Sequence, residues 1–367
     1  MKCLKKILFY ISGHGFGHTL RMIEVMKQLY LSRDKISCIV KTTSPKWLFD
    51  LSLNDPFDYF SFKGDIGVIQ RDSLNLDKLK TLREYAELLK IREILVKDET
   101  QYAEKNKVSV IVGDIPPIAF DISQRINIPG IAIGNFSWDW IYKDYVREFP
   151  QYQFLIEEIK NSYSKADLLL RLPFYGDMSI FSRKEDISLI IRDSDLSKDE
   201  IIKRLGLEKY FSLKKKMVLL SFGGFYNAQI DFSVLLKLKN YFFFSFSKIP
   251  LKNPENIKVL PPRFIDHHHL LKVCDIVISK PGYGIVAECI ANKKPLLYTS
   301  RGDFAEYPIL TKVMKRYIPS LFIPRKDFHS GEWGSYLNDI LLSQKKKREE
   351  MKCSGAKEAA KKILKFL

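Results

Sequence analysis

Apolar residues along this chain follow two alternating rhythms. Short unbroken runs stop at glycine or a polar turn, and stretches with apolar positions every three to four residues follow them. The first run is Ile7–Ile11 (ILFYI), closed by a glycine-rich turn; beyond Thr19, the residues Leu20, Ile23, Val25, Met26 and Leu29 recur at helical spacing. Ile36–Val40 (ISCIV) is the next strand, so the opening reads as a β-α-β unit. Leu79–Tyr102 predicts a long amphipathic helix, and Val108–Val112 a strand ending at Gly113-Asp114. Pro116 and Pro117 break the chain before a helix to about Arg125, and Pro129–Ile133 is a strand ending at Asn135. Such alternation argues a parallel sheet covered by helices on both faces.

From Pro173 to about Arg192 the pattern is irregular, and the domain boundary is expected there. The rhythm then restarts. Asp199–Leu205 reads as a short helix, Met217–Phe222 as a strand before Gly223-Gly224, and Tyr241–Phe246 and Ile257–Leu260 as strands. Ile276–Ser279 is a strand entering a glycine loop, Val286–Ala291 a helix and Pro295–Thr299 a strand. A basic helix is predicted from about Gln344 to Phe366. The expected organisation is therefore two Rossmann-like halves, residues 1–175 and 190–343, with residues 344–367 packing back on the first half. A length of 367 residues agrees, at roughly 150 per domain.

Composition narrows the classes. With 46% hydrophobic and 28% charged residues the chain is neither disordered, collagen-like nor disulfide-built. The net charge of +17 points to an anionic partner, which could be a substrate, an acidic membrane face or nucleic acid; a Lys-rich proteome would give the same number. The five cysteines (Cys3, Cys38, Cys274, Cys289 and Cys353) have no metal-ligand spacing and read as free thiols of a reducing cytoplasm. The basic, apolar start is too short for a signal peptide, and no run approaches the ~18 apolar residues of a membrane span. The expectation is a cytoplasmic protein, with the basic last helix as a peripheral membrane contact.

Candidate chemistry gathers at strand ends, where open α/β sheets bind ligands. Gly13-His14-Gly15-Phe16-Gly17-His18 closes the first strand; Gly15 and Gly17 let a ligand approach the backbone, and His18 is placed to act as a general base. The spacing is neither the dinucleotide fingerprint nor a Walker loop. In Lys280–Glu288, the loop Lys280, Gly282, Tyr283 and Gly284 suits phosphate oxygens, and Glu288 could accept hydrogen bonds from both ribose hydroxyls. Gly223-Gly224 would form a second wall of that anion pocket. Arg301, Asp303 and Glu306 offer a cation for phosphate and carboxylates for sugar hydroxyls. Asn135, Trp138 and Asp139 suit stacking and hydrogen bonding to a sugar face, with core tryptophans as the alternative. His267-His268-His269 is a poor tetrahedral set, since neighbours diverge. No D-x-D motif occurs and no metal is expected. Nucleic-acid binding rests on net charge alone and is set aside.

In combination these residues resemble a known family. The order Gly13–His18 (GHGFGH), Asp114–Pro117 (DIPP), Asn135–Asp139 (NFSWD), Ser221–Gly224 (SFGG), Lys280–Glu288 (KPGYGIVAE) and Arg301–Glu306 (RGDFAE) is similar to the glycosyltransferase-like domain at the N-terminus of plant L-arabinokinases and its stand-alone bacterial relatives. More remotely it resembles the glycosyltransferases that make peptidoglycan lipid intermediates and galactolipids. The resemblance implies a GT-B fold, two Rossmann-like domains facing across a cleft. It implies an acceptor side at His18 and a ribose-binding carboxylate at Glu288, with a UDP- or dTDP-linked sugar as donor substrate and no other cofactor. Lys280, Pro281 and Ile285 replace the Arg, Ser and Thr of the remote relatives. The sugar-kinase phosphate loop of arabinokinases is absent, so no phosphorylation of arabinose is expected.

The expected function is transfer of a sugar from a nucleoside diphosphate to an acceptor hydroxyl, inverting and metal-independent. His18 is the base and Asp114 the next candidate. The acceptor would be a lipid-linked or glycan hydroxyl. A nucleotide-sugar epimerase using Asp114 and Asp139, and a non-catalytic nucleotide-sugar-binding protein, are the alternatives.

Overall fold

A computed structural model describes residues 4–32, 35–70, 76–192, 194, 196–222, 230–252, 254–261 and 267–367. Gly223, Gly224 and the proposed helix start at Asp266 lie outside the described residues. The chain forms two compact units. Met1–Ile69, Leu76–Ile191 and Lys352–Leu367 make the first; Arg192–Met351 with Gln70–Asn75 make the second.

The first unit opens with β1 (Lys5–Ile11), α1 (Phe16–Tyr30), β2 (Ile36–Thr42), α2 (Trp47–Asp50) and β3 (Phe57–Ser61). It continues with α3 (Lys78–Lys105), β4 (Val108–Asp114), α4 (Ile118–Arg125), β5 (Gly130–Gly134) and α5 (Trp138–Glu148). Then come α6 (Phe154–Tyr163), β6 (Leu168–Arg171) and β7 (Lys184–Asp186). The strands form one parallel sheet in the order β3-β2-β1-β4-β5-β6-β7. Ile7–Ile11 are buried, as in a strand covered on both faces, which explains the unbroken apolar run. Asp77 caps α3, its side chain accepting from the Lys80 N–H at 3.1 Å.

In the second unit α7 (Lys198–Arg204), α8 (Glu208–Phe211), β8 (Lys216–Ser221), α9 (Phe232–Leu235), β9 (Tyr241–Ser245) and β10 (Ile257–Val259) come first. They are followed by α10 (His267–Val273), β11 (Ile276–Ser279), α11 (Tyr283–Ala291) and β12 (Leu296–Tyr298). The unit closes with α12 (Glu306–Tyr317), β13 (Ser320–Phe322), α13 (Arg325–Ser330) and α14 (Gly334–Leu342). Its parallel sheet runs β10-β9-β8-β11-β12-β13. Val218, Leu220, Phe243, Ile276, Ile278 and Trp333 anchor its core. A full capping box, Ser197 with Glu200, starts α7.

Two expectations are corrected. The first half does not end at residue 175: β7 lies in the irregular stretch and pairs with β6, so the first unit runs on to Ile191, at the far end of that stretch. The single basic helix over 344–366 does not form. After α14 and a short 3₁₀ turn the chain is non-helical to Ser354, and only α15 (Gly355–Ile363) is a helix. This last segment belongs to the first unit. Ser188 donates to Glu358 through its N–H (2.9 Å) and its hydroxyl (2.8 Å), and Ala359, Ala360 and Ile363 are buried. A Cβ at Gly355 would stand 2.1 Å from the Ser188 carbonyl oxygen. Gly355→Val is therefore expected to destabilise the first unit by about 1–3 kcal/mol, and urea melts of the two proteins check it. An unchanged midpoint would show that the segment's docking is loose.

Candidate active site

Both sheets reverse their strand order at one place, and the candidate residues lie there. In the first unit the reversal falls between β1 and β4. Ile11 pairs with Asp114, so the glycine loop after β1 lies beside the end of β4. Gly15, at φ +73°, turns the loop into α1 in the left-handed region that glycine adopts without cost. That turn brings His18 into the first turn of α1 and Arg21 one turn further along the same helix.

His18 Nδ1 is 2.8 Å from Asp114 Oδ1. Arg21 donates from Nε to Asp114 Oδ2 at 2.6 Å, from Nη2 to Oδ1, and from Nη1 to Asn135 Oδ1 at 3.1 Å. Arg21 Nη2 also lies 3.0 Å from His18 Nδ1. One carboxylate oxygen thus faces two nitrogens. A bare Nδ1 at 2.8 Å would set lone pair against lone pair, so Nδ1 carries the proton and donates to Asp114. Nε2 is then the ring's acceptor nitrogen. Burial alone would raise the Asp114 carboxyl, but the charge of Arg21 and the hydrogen bonds from Arg21 and His18 hold it below the usual carboxylate range.

Around this pair the packing is dense. The Val68 N–H donates to His14 Nδ1 at 3.1 Å, so His14 ties the segment after β3 to the loop. Trp138 donates from Nε1 to Asp65 at 2.9 Å and stacks on Tyr142. Burial pushes the Asp65 and Asp139 carboxyls up.

In the second unit the reversal lies between β8 and β11. Ser279 donates to the Ser221 carbonyl oxygen, joining the two strand ends. Gly282 caps α11, so Tyr283 and Gly284 are in its first turn and Glu288 is buried one turn on. Glu288 forms an ion pair with Arg192 (2.6 Å), and His267 Nδ1 lies 3.5 Å from its other oxygen. His267 Nε2 is 2.8 Å from Ser221 Oγ. Burial would raise the Glu288 carboxyl, but Arg192 and His267 outweigh it and hold it well below its ordinary range. Arg301 pairs with the buried Glu306 at 3.0 Å and lies over the Phe304 ring, while Asp303 is exposed. Nothing stands within 4 Å of a Cβ built at Gly17 or Gly284, so the backbone is open at both loops. Among the described residues no cluster of three His, Cys, Asp or Glu side chains could hold a metal, and no helix is long and apolar enough to cross a membrane.

Comparison with solved structures places this architecture. A UDP-glucosyltransferase from Polygonum tinctorium, 12% identical, superposes with a TM-score of 0.63 over 100% of this chain and 99% of that one. A glycosyltransferase from Streptomyces nogalater, 13% identical, gives 0.57 over the full length of both. The chain has the GT-B fold of glycosyltransferases. A GT-B chain from Listeria monocytogenes assigned as a UDP-N-acetylglucosamine 2-epimerase, 13% identical, gives 0.60 over 99% of this chain and 95% of that one. In sequence this GT-B protein is 28% identical over 338 residues, 90% of its length, to the L-arabinokinase of Arabidopsis thaliana. The match covers 31% of that protein, so the chain spans about a third of its relative's length. No protein-family model matches the chain.

Within the GT-B frame His18 and Asp114, 96 positions apart, are in contact. Lys280, Gly282 and Glu288 share the end of β11, with Arg301 near Gly282. The Asn135–Asp139 cluster is corrected. Trp138 and Asn135 have no exposed surface and Asp139 is 9% exposed, so Trp138 stacks on protein rather than on a sugar. The alternating aromatic and polar residues there join the end of β5 to the start of α5, and Asn135–Asp139 are packed inward. Asp114 is likewise fully buried, in contact with His18. Sequence reasoning missed Arg21, Asp65 and Arg192. For Arg21 the signal was present, a cation three residues after His18 on one helix; for Asp65 and Arg192, in irregular segments, there was none.

Proposed function

We propose that the protein is a glycosyltransferase that moves a sugar from a UDP- or dTDP-sugar to an acceptor hydroxyl. The observation that carries this reading is the His18–Asp114 pair at the switch point of the first sheet. The second unit would hold the donor, with Glu288 at the ribose and the Lys280–Gly284 turn at the diphosphate. The acceptor oxygen attacks the anomeric carbon while its proton passes to His18 Nε2. The bond from that carbon to the diphosphate breaks, and the diphosphate leaves with the electron pair. One such displacement inverts the anomeric carbon. Lys280 and the backbone N–H groups of α11 would offset the charge of the leaving group without a metal.

An epimerase would need free acid and base carboxylates, and Asp114 is instead fully buried and bonded to both Arg21 and His18. The solved GT-B structures that bind UDP or UDP-sugars support the choice of donor. UDP or dTDP at 100 times its Kd is expected to stabilise the protein by about 2.7 kcal/mol, and purine diphosphates by less. A thermal-shift series across the four nucleoside diphosphates decides this; equal responses to all four reject the donor assignment. Product analysis of a UDP-sugar incubated without acceptor separates transfer from epimerisation.

A further inference from the structure

Glu288, read above as the ribose acceptor, already has partners within the protein. Arg192 Nε donates to Glu288 Oε1 at 2.6 Å, and Arg192 Nη2 lies 2.6 Å from the same oxygen. An ionised carboxylate oxygen has two acceptor directions, so Arg192 fills both directions of Oε1. His267 Nδ1 stands 3.5 Å from Oε2. Two adjacent hydroxyls, as on a ribose, reach a carboxylate through both oxygens, one hydroxyl each. While Arg192 holds Oε1, that pairing cannot form. Glu288 and His267 sit on helices α11 and α10, and His267 Nε2 is 2.8 Å from Ser221 Oγ at the end of β8. Arg192 lies in neither helix nor strand, between the end of β7 at Asp186 and the start of α7 at Lys198. Its side chain can therefore withdraw without unwinding an element.

We propose that Arg192 is a displaceable cap on the ribose carboxylate: a nucleoside diphosphate seats its hydroxyls on Glu288 only after Arg192 has left Oε1. The proposal rests on the ribose role of Glu288. Opening the cap consumes part of the binding free energy, so the capped protein holds a nucleotide more weakly than the same site without the cap. Such a cap also discriminates. A ligand with both ribose hydroxyls replaces the bonds that Arg192 gives up, and a ligand lacking one of them leaves an acceptor unmatched. UDP is therefore favoured over 2′-deoxy-UDP. Two other roles for Arg192 would act in the opposite sense. If it only held Glu288 in place, or bound the diphosphate itself, removing it would weaken nucleotide binding.

Calorimetric titration of the full chain with UDP tests this through four proteins: native, Arg192→Gln, Glu288→Ala and the double variant. Arg192→Gln is expected to bind UDP about tenfold or more tightly than the native protein. In the Glu288→Ala background the same change is expected to alter UDP affinity by less than about twofold, because no carboxylate remains to be capped. The double variant removes both partners of the ion pair, so it leaves no buried charge unmatched. Unchanged or weakened UDP binding in a folded Arg192→Gln protein overturns the proposal, and so does an equal gain in the Glu288→Ala background. Should Arg192→Gln not fold, Arg192→Lys serves instead. It keeps the counter-charge but loses the planar fork, and UDP is expected to bind at least about threefold more tightly; unchanged or weaker binding overturns the proposal. Titration with 2′-deoxy-UDP separates the cap from the reading beneath it. Glu288→Ala is expected to abolish the preference for UDP over 2′-deoxy-UDP. A preference that persists there, or UDP that binds none of the proteins, overturns the ribose reading and the cap with it. A preference abolished in Glu288→Ala, with no gain in Arg192→Gln, overturns the cap alone.

Discussion

His18→Ala is expected to lower the rate of sugar transfer by about 10²–10⁴-fold, the usual loss when a general base is removed. Nucleotide affinity is expected to stay within about twofold, because the proposed donor residues belong to the second unit. The folded state is expected to survive, since Asp114 keeps its hydrogen bonds from Arg21 when the ring is removed. His14→Ala is the informative companion. It removes the acceptor for the Val68 N–H and loosens the segment after β3, so it should cost stability more than rate. Calorimetric nucleotide binding, urea melts and single-turnover rates on both variants separate these effects. Normal turnover in His18→Ala, with a folded but inactive His14→Ala, would transfer the base role to His14.

Glu288→Ala is expected to destabilise the second unit by about 3–5 kcal/mol, because it leaves Arg192 buried without its counter-charge. Their side chains are 11% and 8% exposed, so water cannot take over the lost partner. The effect is expected to depend on pH. Glu288 is held below its ordinary range in the folded protein, so its contribution is fully present above the unfolded carboxyl value of about 4.3. It is lost as the pH falls through the lower folded value. The stability gap between native protein and Glu288→Ala should therefore be constant from pH 6 to 8 and narrow below about pH 4. The same substitution is expected to weaken binding of the pyrimidine diphosphate by about 1–3 kcal/mol, the scale of charge-assisted hydrogen bonds. A carboxylate has about four acceptor directions, and Arg192 and His267 face two oxygens of Glu288 from the protein side. Denaturation across pH measures the first effect and calorimetry the second. A fully stable variant that has lost only nucleotide binding would show that Arg192 finds another counter-charge.

Local pattern was enough for the part of this protein that local forces decide. The alternation of apolar runs with helical spacing marked β1, α1, β2, α3, β4, α4 and β5, because a strand buried on both faces and a helix with one apolar stripe leave different periods in the chain. Glycines at strand ends marked the loops around His18 and Lys280, since a backbone that turns sharply or must lie open has few other residues to use. What the pattern could not reach was the partnering of side chains. Asp114 finds His18 across 96 positions because β4 lies beside β1, and Glu288 finds Arg192 across 96 positions because α11 folds back beside the residue that opens the main segment of the second unit. Trp138 is aromatic and flanked by Ser137 and Asp139, which suits either a sugar face or a core; only its stacking on Tyr142 and its bond to Asp65 settle that it is core. The C-terminal segment reads as a basic helix, yet Gly355 and Glu358 join it to residues 188–189 of the first unit through contacts no short-range rule encodes. Strand order decided all of these outcomes, because hydrogen bonds and ion pairs need atoms within about 3–4 Å, and only the packed sheet brings distant residues that close.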